Sequence, residues 1–267
     1  MLRPELSVII PAFNEEARLE PTLRETVSYF RERRRAAEIL VVDDGSRDGT
    51  SALVARLARG YPEIRLFRLP GNRGKGYAVR VGVVNATGRL VLFADADGAT
   101  PIAELERLEA AIDAGADIAI GSRALRASGV EVRARLYRRV IGRAFHLLVR
   151  TLAVGGIADT QCGFKLFRDS VAHDLFSRMR MNGFSFDVEV LLMARRAGYR
   201  VTEVPVNWTH KPGSRVNLAL DSLRMARDLL VIRGNLLRGF YDQPQVALLD
   251  LESQSVDGAL APTSLAF

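Results

Sequence analysis

RLVLFADADGATP, residues 89–101, decides how the rest of the chain is read. Its apolar run, Leu90 to Ala94, has the pattern of a strand buried on both faces, and it ends in two carboxylates, Asp95 and Asp97. In extended chain, residues i and i+2 point the same way, so the two acids can face one site. Adjacent carboxylates repel, and their pKa values part unless a cation lies near them. A hard divalent ion with oxygen ligands, Mg²⁺ or Mn²⁺, resolves the repulsion, and such an ion usually keeps substrate phosphates in its shell. The competing reading is an ordinary polar strand end, where aspartate is a common turn residue.

Working outward, LSVIIPAF (6–13), EILVVDD (38–44), IRLFRL (64–69) and DIAIGS (117–122) read as further strands. Helical segments at about 16–34, within 46–60 and at about 75–85 separate them, and Thr100 and Pro101 read as the N-cap and first residue of another helix. Strands alternating with helices predict βαβ units: an α/β fold with a mostly parallel sheet covered on both faces. The second half differs. Residues 133–154 read as one long basic helix, followed by the loop GGIADTQCGF, a strand at 164–168, a helix near 186–197 and a strand at 201–208. An amphipathic helix at about 218–237 packs on the sheet or on a partner, and from Tyr241 the pattern fades into a flexible tail. The expected organisation is one domain over 1–240, with halves at 1–125 and 126–240, and a tail over 241–267.

Composition narrows the classes. The 267 residues carry a net charge of +7, and of 38 basic residues only Lys75, Lys165 and Lys211 are lysines. Arginine suits a planar, bidentate grip on phosphate, so the balance points to a nucleic acid, a phosphorylated substrate or an anionic membrane face. No run of about 18 uncharged apolar residues predicts a transmembrane helix, and MLRPELSVII lacks the features of a signal peptide. The single cysteine, Cys162, fits a reducing compartment. The chain is expected in the cytoplasm.

In an open parallel sheet, ligands bind beyond the carboxyl ends of the strands. Two more of these ends carry acids: Pro11-Ala12-Phe13-Asn14-Glu15 after the first strand, and Asp43-Asp44-Gly45-Ser46 after the second. Three acidic ends together favour a metal–diphosphate site at Asp95-Ala96-Asp97 over an ordinary turn. Gly71-Asn72-Arg73-Gly74-Lys75-Gly76 matches neither common phosphate-loop pattern, yet it precedes a helix. Its amides and Lys75 meet a phosphate there, or it is a plain strand-to-helix turn; the pattern leaves both open.

SVIIPAFNEE, VVDDGSRDGT, GNRGKGYAVRVG and FADADGATP, in this order, resemble glycosyltransferase family 2 enzymes of the GT-A fold. GSR (121–123), YRRVIGRAFHLLV (137–149), IADTQCGFKLF (157–167), FSFDVEVL (184–191) and VPVNWTHKPGSRV (204–216) look like dolichyl- or polyprenyl-phosphate β-glucosyltransferases. The resemblance covers about residues 6–235. It implies that Pro11, Ala12, Asn14, Glu15, Asp43, Asp44 and Ser46 surround the nucleotide, with Lys75 and Ala96 beside the diphosphate. It implies that Asp95 and Asp97 hold the metal and that Arg123 and Arg138 bind the acceptor phosphate. A serine of related mannosyltransferases is Gly142 here, and a glutamine after their second metal aspartate is Ala99, so those two contacts differ. Asp159 matches a position linked to catalysis.

The implied reaction moves glucose from UDP-glucose to a polyprenyl or dolichyl phosphate, with inversion at the anomeric carbon. A phosphate monoester has its second pKa near 6 and is mostly a dianion at neutral pH, so no side chain need take a proton. Asp159 then reads as an orienting or electrostatic residue. A lipid acceptor suits the 133–154 helix, where Arg135, Arg139, Arg143, His146 and Arg150 form a stripe beside an apolar one. That face lies on a membrane surface, the cytoplasmic one, or is a solvated arginine face over a core stripe. The rival enzymes use GDP-mannose or a soluble acceptor. A nucleic-acid-binding protein would explain the charge but not three acidic strand ends at the ligand edge, so no nucleic-acid partner is expected.

Overall fold

The computed structural model describes residues 3–133, 156–211 and 218–243. β1 (Leu6–Ala12) is followed by α1 (Leu19–Glu32), β2 (Ala37–Asp43), α2 (Thr50–Gly60), β3 (Ile64–Arg68), α3 (Lys75–Val84) and β4 (Leu90–Ala94). Every residue of β1 is buried, as a strand covered on both faces requires. Alternation assigns the faces. Val8 and Ile10 join Leu23 and Val27 of α1 and Leu53 and Leu57 of α2, while Ile9 joins Val79, Val81 and Val83 of α3.

After a 3₁₀ turn (Ile102–Glu104) come α4 (Leu105–Asp113), β5 (Ile118–Ser122), β6 (Val132–Arg133), β7 (Phe164–Arg168), α5 (Asp169–Arg178) and α6 (Phe186–Arg196). β8 (Val201–Pro205), β9 (Trp208–Thr209) and α7 (Leu218–Leu237) complete the described elements. The main sheet runs β3-β2-β1-β4-β7-β5-β8, and β6 pairs β9 in a second sheet. Only β7 opposes its neighbours in the main sheet, so the mostly parallel α/β expectation holds.

Register puts the chemistry on one edge. Ala12 pairs with Asp43 across β1 and β2, and Ile9 pairs with Phe93 across β1 and β4. Asp95, just past β4, therefore lies at the same end as Asp43 and Asp44. Phe164 pairs with Ala94, which sets Gly163 beside Asp95.

Three local readings differ. Thr100 does not cap a helix: Pro101 keeps an extended ψ of 143° with no side-chain cap, and helical hydrogen bonding begins only after it. The proline ring fixes φ but leaves ψ free, so proline is compatible with the residue before a helix as well as with its first turn. α5 was not anticipated, because DSVAHDLFSR alternates polar and apolar residues too briefly to announce a helix; Val171, Ala172, Leu175 and Phe176 nevertheless bury one face. The strand read at 201–208 is two pieces, broken at Val206-Asn207, where the Asn207 side chain donates to Glu104 (2.6 Å) and accepts from the Glu131 N–H (2.7 Å). Among the described residues no helix is long and apolar enough to cross a membrane.

Candidate active site

The loops after β1 and β2 are tied to each other by their own polar side chains. Asn14 sits in the left-handed region at φ 55°, which asparagine tolerates better than most residues. Its N–H donates to Ser46 Oγ (2.8 Å) and its Oδ1 accepts from the Arg47 N–H (2.7 Å). The Glu15 N–H donates to Thr50 Oγ1 at 2.8 Å. Asp43 is fully buried and accepts from the Ser46 N–H (2.8 Å) and the Ser51 hydroxyl. Asp44, also buried, accepts from the N–H groups of Arg73 (2.7 Å) and Gly74 (2.8 Å). Burial pushes the Asp44 carboxyl upward, and those two amides offset part of that.

Between these loops opens a cavity of about 420 Å³ lined by Phe13, Ser46, Arg47, Arg68, Gly71 and Asn72, among others. Of the residues read as nucleotide-binding, Ser46 lines it directly. Pro11 and Ala12 are the last residues of β1, just before Phe13, and Asp43 and Asp44 hold the loops that line it. An aromatic ring beside two guanidinium groups fits a flat, anionic ligand.

Past β4, the Lys75 ammonium lies 2.6 Å from Asp95 Oδ1, with about a third of the Asp95 side chain exposed. Asp97 Oδ1 accepts from the Ala99 N–H at 3.0 Å. Burial pushes the Asp97 carboxyl upward, and the neighbouring Asp95 charge adds to the push. Arg18, held bidentate by Glu15 at 2.6 and 2.8 Å, lies within the field of both aspartates. Ala96 is buried between them.

Arg123, at the end of β5, grips Asp159 with both arms: Nε to Oδ2 at 2.6 Å and Nη2 to Oδ1 at 2.8 Å. The Arg123 N–H adds a third bond to Oδ2 at 2.9 Å. Burial opposes ionisation of Asp159, but the guanidinium wins and holds the carboxyl below its ordinary value. Arg123 also stands 5.5 Å from the Trp208 ring centroid and within the field of Asp95. Trp208 belongs to the β9 segment, whose Thr209 N–H donates to the Ala99 carbonyl at 2.9 Å. The DADGA, GSR, IADTQ and NWT stretches thus meet in one place. Arg138, Gly142 and the 133–154 basic helix lie outside the described residues.

Sequence reasoning missed the layer beneath. Lys165, in the middle of β7, is buried and donates to Asp187 Oδ1 (2.5 Å) and to the Cys162 carbonyl (2.7 Å). Its ammonium lies 5.6 Å from the Phe93 ring, whose centroid is 5.1 Å from the Lys75 ammonium. The available signal was a lysine inside the apolar FKLF run. Gly163 was missed too, although an added Cβ would stand 2.0 Å from Asp95 Oδ2.

Residues 7–176 match the model of Glycosyl transferase family 2. The chain belongs to this family. Among similar glycosyltransferases, the dolichyl-phosphate beta-glucosyltransferase of Dictyostelium discoideum is 38% identical over 250 residues, covering 88% of this chain and 76% of that protein. Its counterparts from Saccharomyces cerevisiae and Homo sapiens are 37% and 38% identical, with the same shares of each chain covered. Glucosyl-3-phosphoglycerate synthase from Mycobacterium tuberculosis, solved with Mn²⁺, UDP and glucosyl-3-phosphoglycerate, superposes with a TM-score of 0.62. That match has 20% identity and covers 91% of this chain and 82% of that one. Mannosyl-3-phosphoglycerate synthase from Rubrobacter xylanophilus gives 0.63 at 18% identity, covering 93% and 78%. These two share the fold, and the GT-A expectation holds.

Proposed function

We propose that this glycosyltransferase moves glucose from UDP-glucose onto a polyprenyl phosphate of the dolichyl type, with Mg²⁺ or Mn²⁺ on the diphosphate. The observation that carries this reading is the 37–38% identity, along 88% of the chain, to enzymes named for glucosyl transfer to dolichyl phosphate. The site supports it. The Phe13–Asn72 cavity suits a uridine, and the edge beside it holds carboxylates and cations in the order a diphosphate needs.

Asp95 and Asp97 fit a divalent ion. One is part-exposed at a strand end, and the other is raised by burial and by its neighbour, a surplus of negative charge that a divalent cation relieves. When bound, such an ion stabilises charge on the departing diphosphate. Lys75, Arg18 and Arg123 add fixed positive charge around Asp95, preorganised where the leaving group gathers its own. An oxygen of the acceptor phosphate attacks the anomeric carbon, and the bond from that carbon to the UDP oxygen breaks. The acceptor is already a dianion, so no base is required. Asp159 is suited to hold Arg123 against the acceptor phosphate, since a carboxyl below its ordinary pKa is a poor base. A lipid acceptor requires the site to reach a bilayer, and on this reading the enzyme works at the cytoplasmic face of a membrane as a peripheral protein.

The test is transfer of radiolabelled glucose from UDP-glucose into organic-extractable dolichyl phosphate, with Mg²⁺, Mn²⁺ or EDTA. Lipid labelling that EDTA and Asp97→Ala both abolish is the expected result. Label appearing only in a water-soluble phosphorylated acceptor would overturn the lipid assignment, and labelling from GDP-mannose alone would overturn the donor.

A further inference from the structure

Glu189 on α6 is fully buried, and its carboxylate accepts hydrogen bonds from one loop and from the turn after α7. Both oxygens accept from the Arg180 N–H at 3.1 Å, Oε2 accepts from the Met181 N–H at 2.8 Å, and Oε1 accepts from the Tyr241 hydroxyl at 2.7 Å. Tyr241 is itself buried, although the sequence places it at the start of the tail. The loop returns the contact. Arg180 donates from Nε and Nη2 to the Phe240 carbonyl at 3.2 and 2.9 Å, with its guanidinium 5.0 Å from the Phe240 ring. At the loop's far end Ser185 donates to Asp228 of α7 at 2.6 Å. A carboxylate closed off from water is worth most when each donor aimed at it is in place.

The other side of this loop lies against the first turn of α3. The Tyr77 N–H donates to the Asn182 carbonyl at 3.2 Å. A Cβ on Gly74 would stand 2.4 Å from that same oxygen, and one on Gly76 2.6 Å from the Met181 carbonyl. Backbone thus rests on backbone at both glycines, with the Phe186 Cβ also packed against Gly76, so little room is left to absorb a shift. The residue between them is Lys75, whose ammonium touches Asp95 and lies 6.0 Å from the ring of Phe184, on the same loop.

We propose that Tyr241 and Glu189 are positioning residues for the donor site: by fixing the 180–184 loop against α3 they fix where Lys75 stands over Asp95 and the diphosphate. The proposal deepens the reading above and rests on its assignment of Lys75 to the diphosphate. It makes the turn after α7, remote in sequence from every donor-site motif, part of donor binding.

The test is a double-mutant cycle on the full chain, reading UDP affinity in Mg²⁺ by calorimetry well below the melting temperature. Lys75→Ala is expected to weaken UDP about tenfold, the loss of one charge-assisted contact. Tyr241→Phe is expected to weaken it about fivefold in the wild type and by less than about 1.5-fold in the Lys75→Ala background, the non-additivity of residues that act through each other. Arg180→Ala, which removes a half-buried side chain, gives a smaller loss with the same dependence on Lys75 and serves if Tyr241→Phe folds poorly. Equal losses in both backgrounds, or a lowered melting temperature with unchanged UDP affinity, would reduce the clamp to a stability device and overturn the proposal. Unchanged affinity in Lys75→Ala alone would instead remove Lys75 from the diphosphate, and the proposal would fall with that assignment.

Discussion

Replacing Gly163 by alanine separates the position of Asp95 from its charge. The new Cβ would stand 2.0 Å from Oδ2, 2.2 Å from Cγ and 2.4 Å from Oδ1 of Asp95. Non-bonded heavy atoms settle near 3.5 Å, so the carboxylate has to retreat by about 1 Å or more. Its retreat is constrained, because Lys75 holds Oδ1 at 2.6 Å and the Asp95 N–H is bonded to the Gly163 carbonyl at 3.0 Å. The φ of Gly163 lies outside the left-handed region, so alanine strains no backbone there. Overpacking of this kind costs about 1–3 kcal/mol, which leaves a protein of ordinary stability folded. A displacement of about 1 Å at a reacting centre costs on the order of 10²-fold in rate. Gly163→Ala should therefore lower kcat/KM for glucosyl transfer about 100-fold and weaken the response to divalent metal, with the circular-dichroism spectrum unchanged. Gly60→Ala, where an added Cβ meets open space, is the control. A folded Gly163→Ala enzyme within about threefold of wild type would refute the claim that Asp95 works by placement.

Three further outcomes follow from the buried groups. Lys165→Met strands Asp187 in the core and should cost about 3–5 kcal/mol in urea unfolding, most of it recovered by adding Asp187→Leu; an additive double mutant would count against a coupled pair. The Asp159 carboxyl is depressed in the folded state, so its contribution is complete above the unfolded value near 3.9 and is lost as pH falls through the lower folded value. Asp159→Asn should therefore melt lower than wild type at neutral pH and lose less stability on acidification below about pH 4; parallel melting curves against pH would contradict the assignment. Cys162 has no exposed surface and its thiol is pushed up to about 12, so it should resist a thiol reagent at pH 8 until urea unfolds the chain. Rapid labelling of the native protein would show that the core under β5 opens.

The first half was legible because its signals are local. Buried strands such as Leu90 to Ala94 are continuous apolar runs, and aspartates that follow them show in the sequence without any knowledge of neighbours. The resemblance marked Arg123 and Asp159 separately, but their meeting was not legible, since 36 residues separate them and no periodicity links them. Glu203, which accepts the Ala158 and Asp159 N–H groups at 2.6 and 2.8 Å, gave no signal, because an acid in a half-exposed strand is ordinary. Glu189 is an acid in an apolar helix, and its partners come from a loop and from a turn some 50 residues on, a contact that only tertiary packing creates.

The three acidic strand ends looked alike in the sequence, and the donors around them divide their work. Asp43 accepts from Ser46 of its own loop and Ser51 of α2, and Asp44 accepts from two amides of the loop after β3, so their oxygens are spent on holding the cavity walls. Substituting either should damage nucleotide binding through the shape of those loops. Asp95 and Asp97 are different: among the described residues Asp97 accepts from the Ala99 N–H, and Asp95 pairs with the Lys75 ammonium. Lys75 supplies one positive charge where a divalent ion would supply two. The contact at Asp95 is thus one that a ligand can contest, whereas those at Asp43 and Asp44 cannot be given up without unravelling the loops. Like charges at the mouth of the core are tolerated after β2 because the fold satisfies them, and after β4, on the function proposed above, because a divalent cation would complete them.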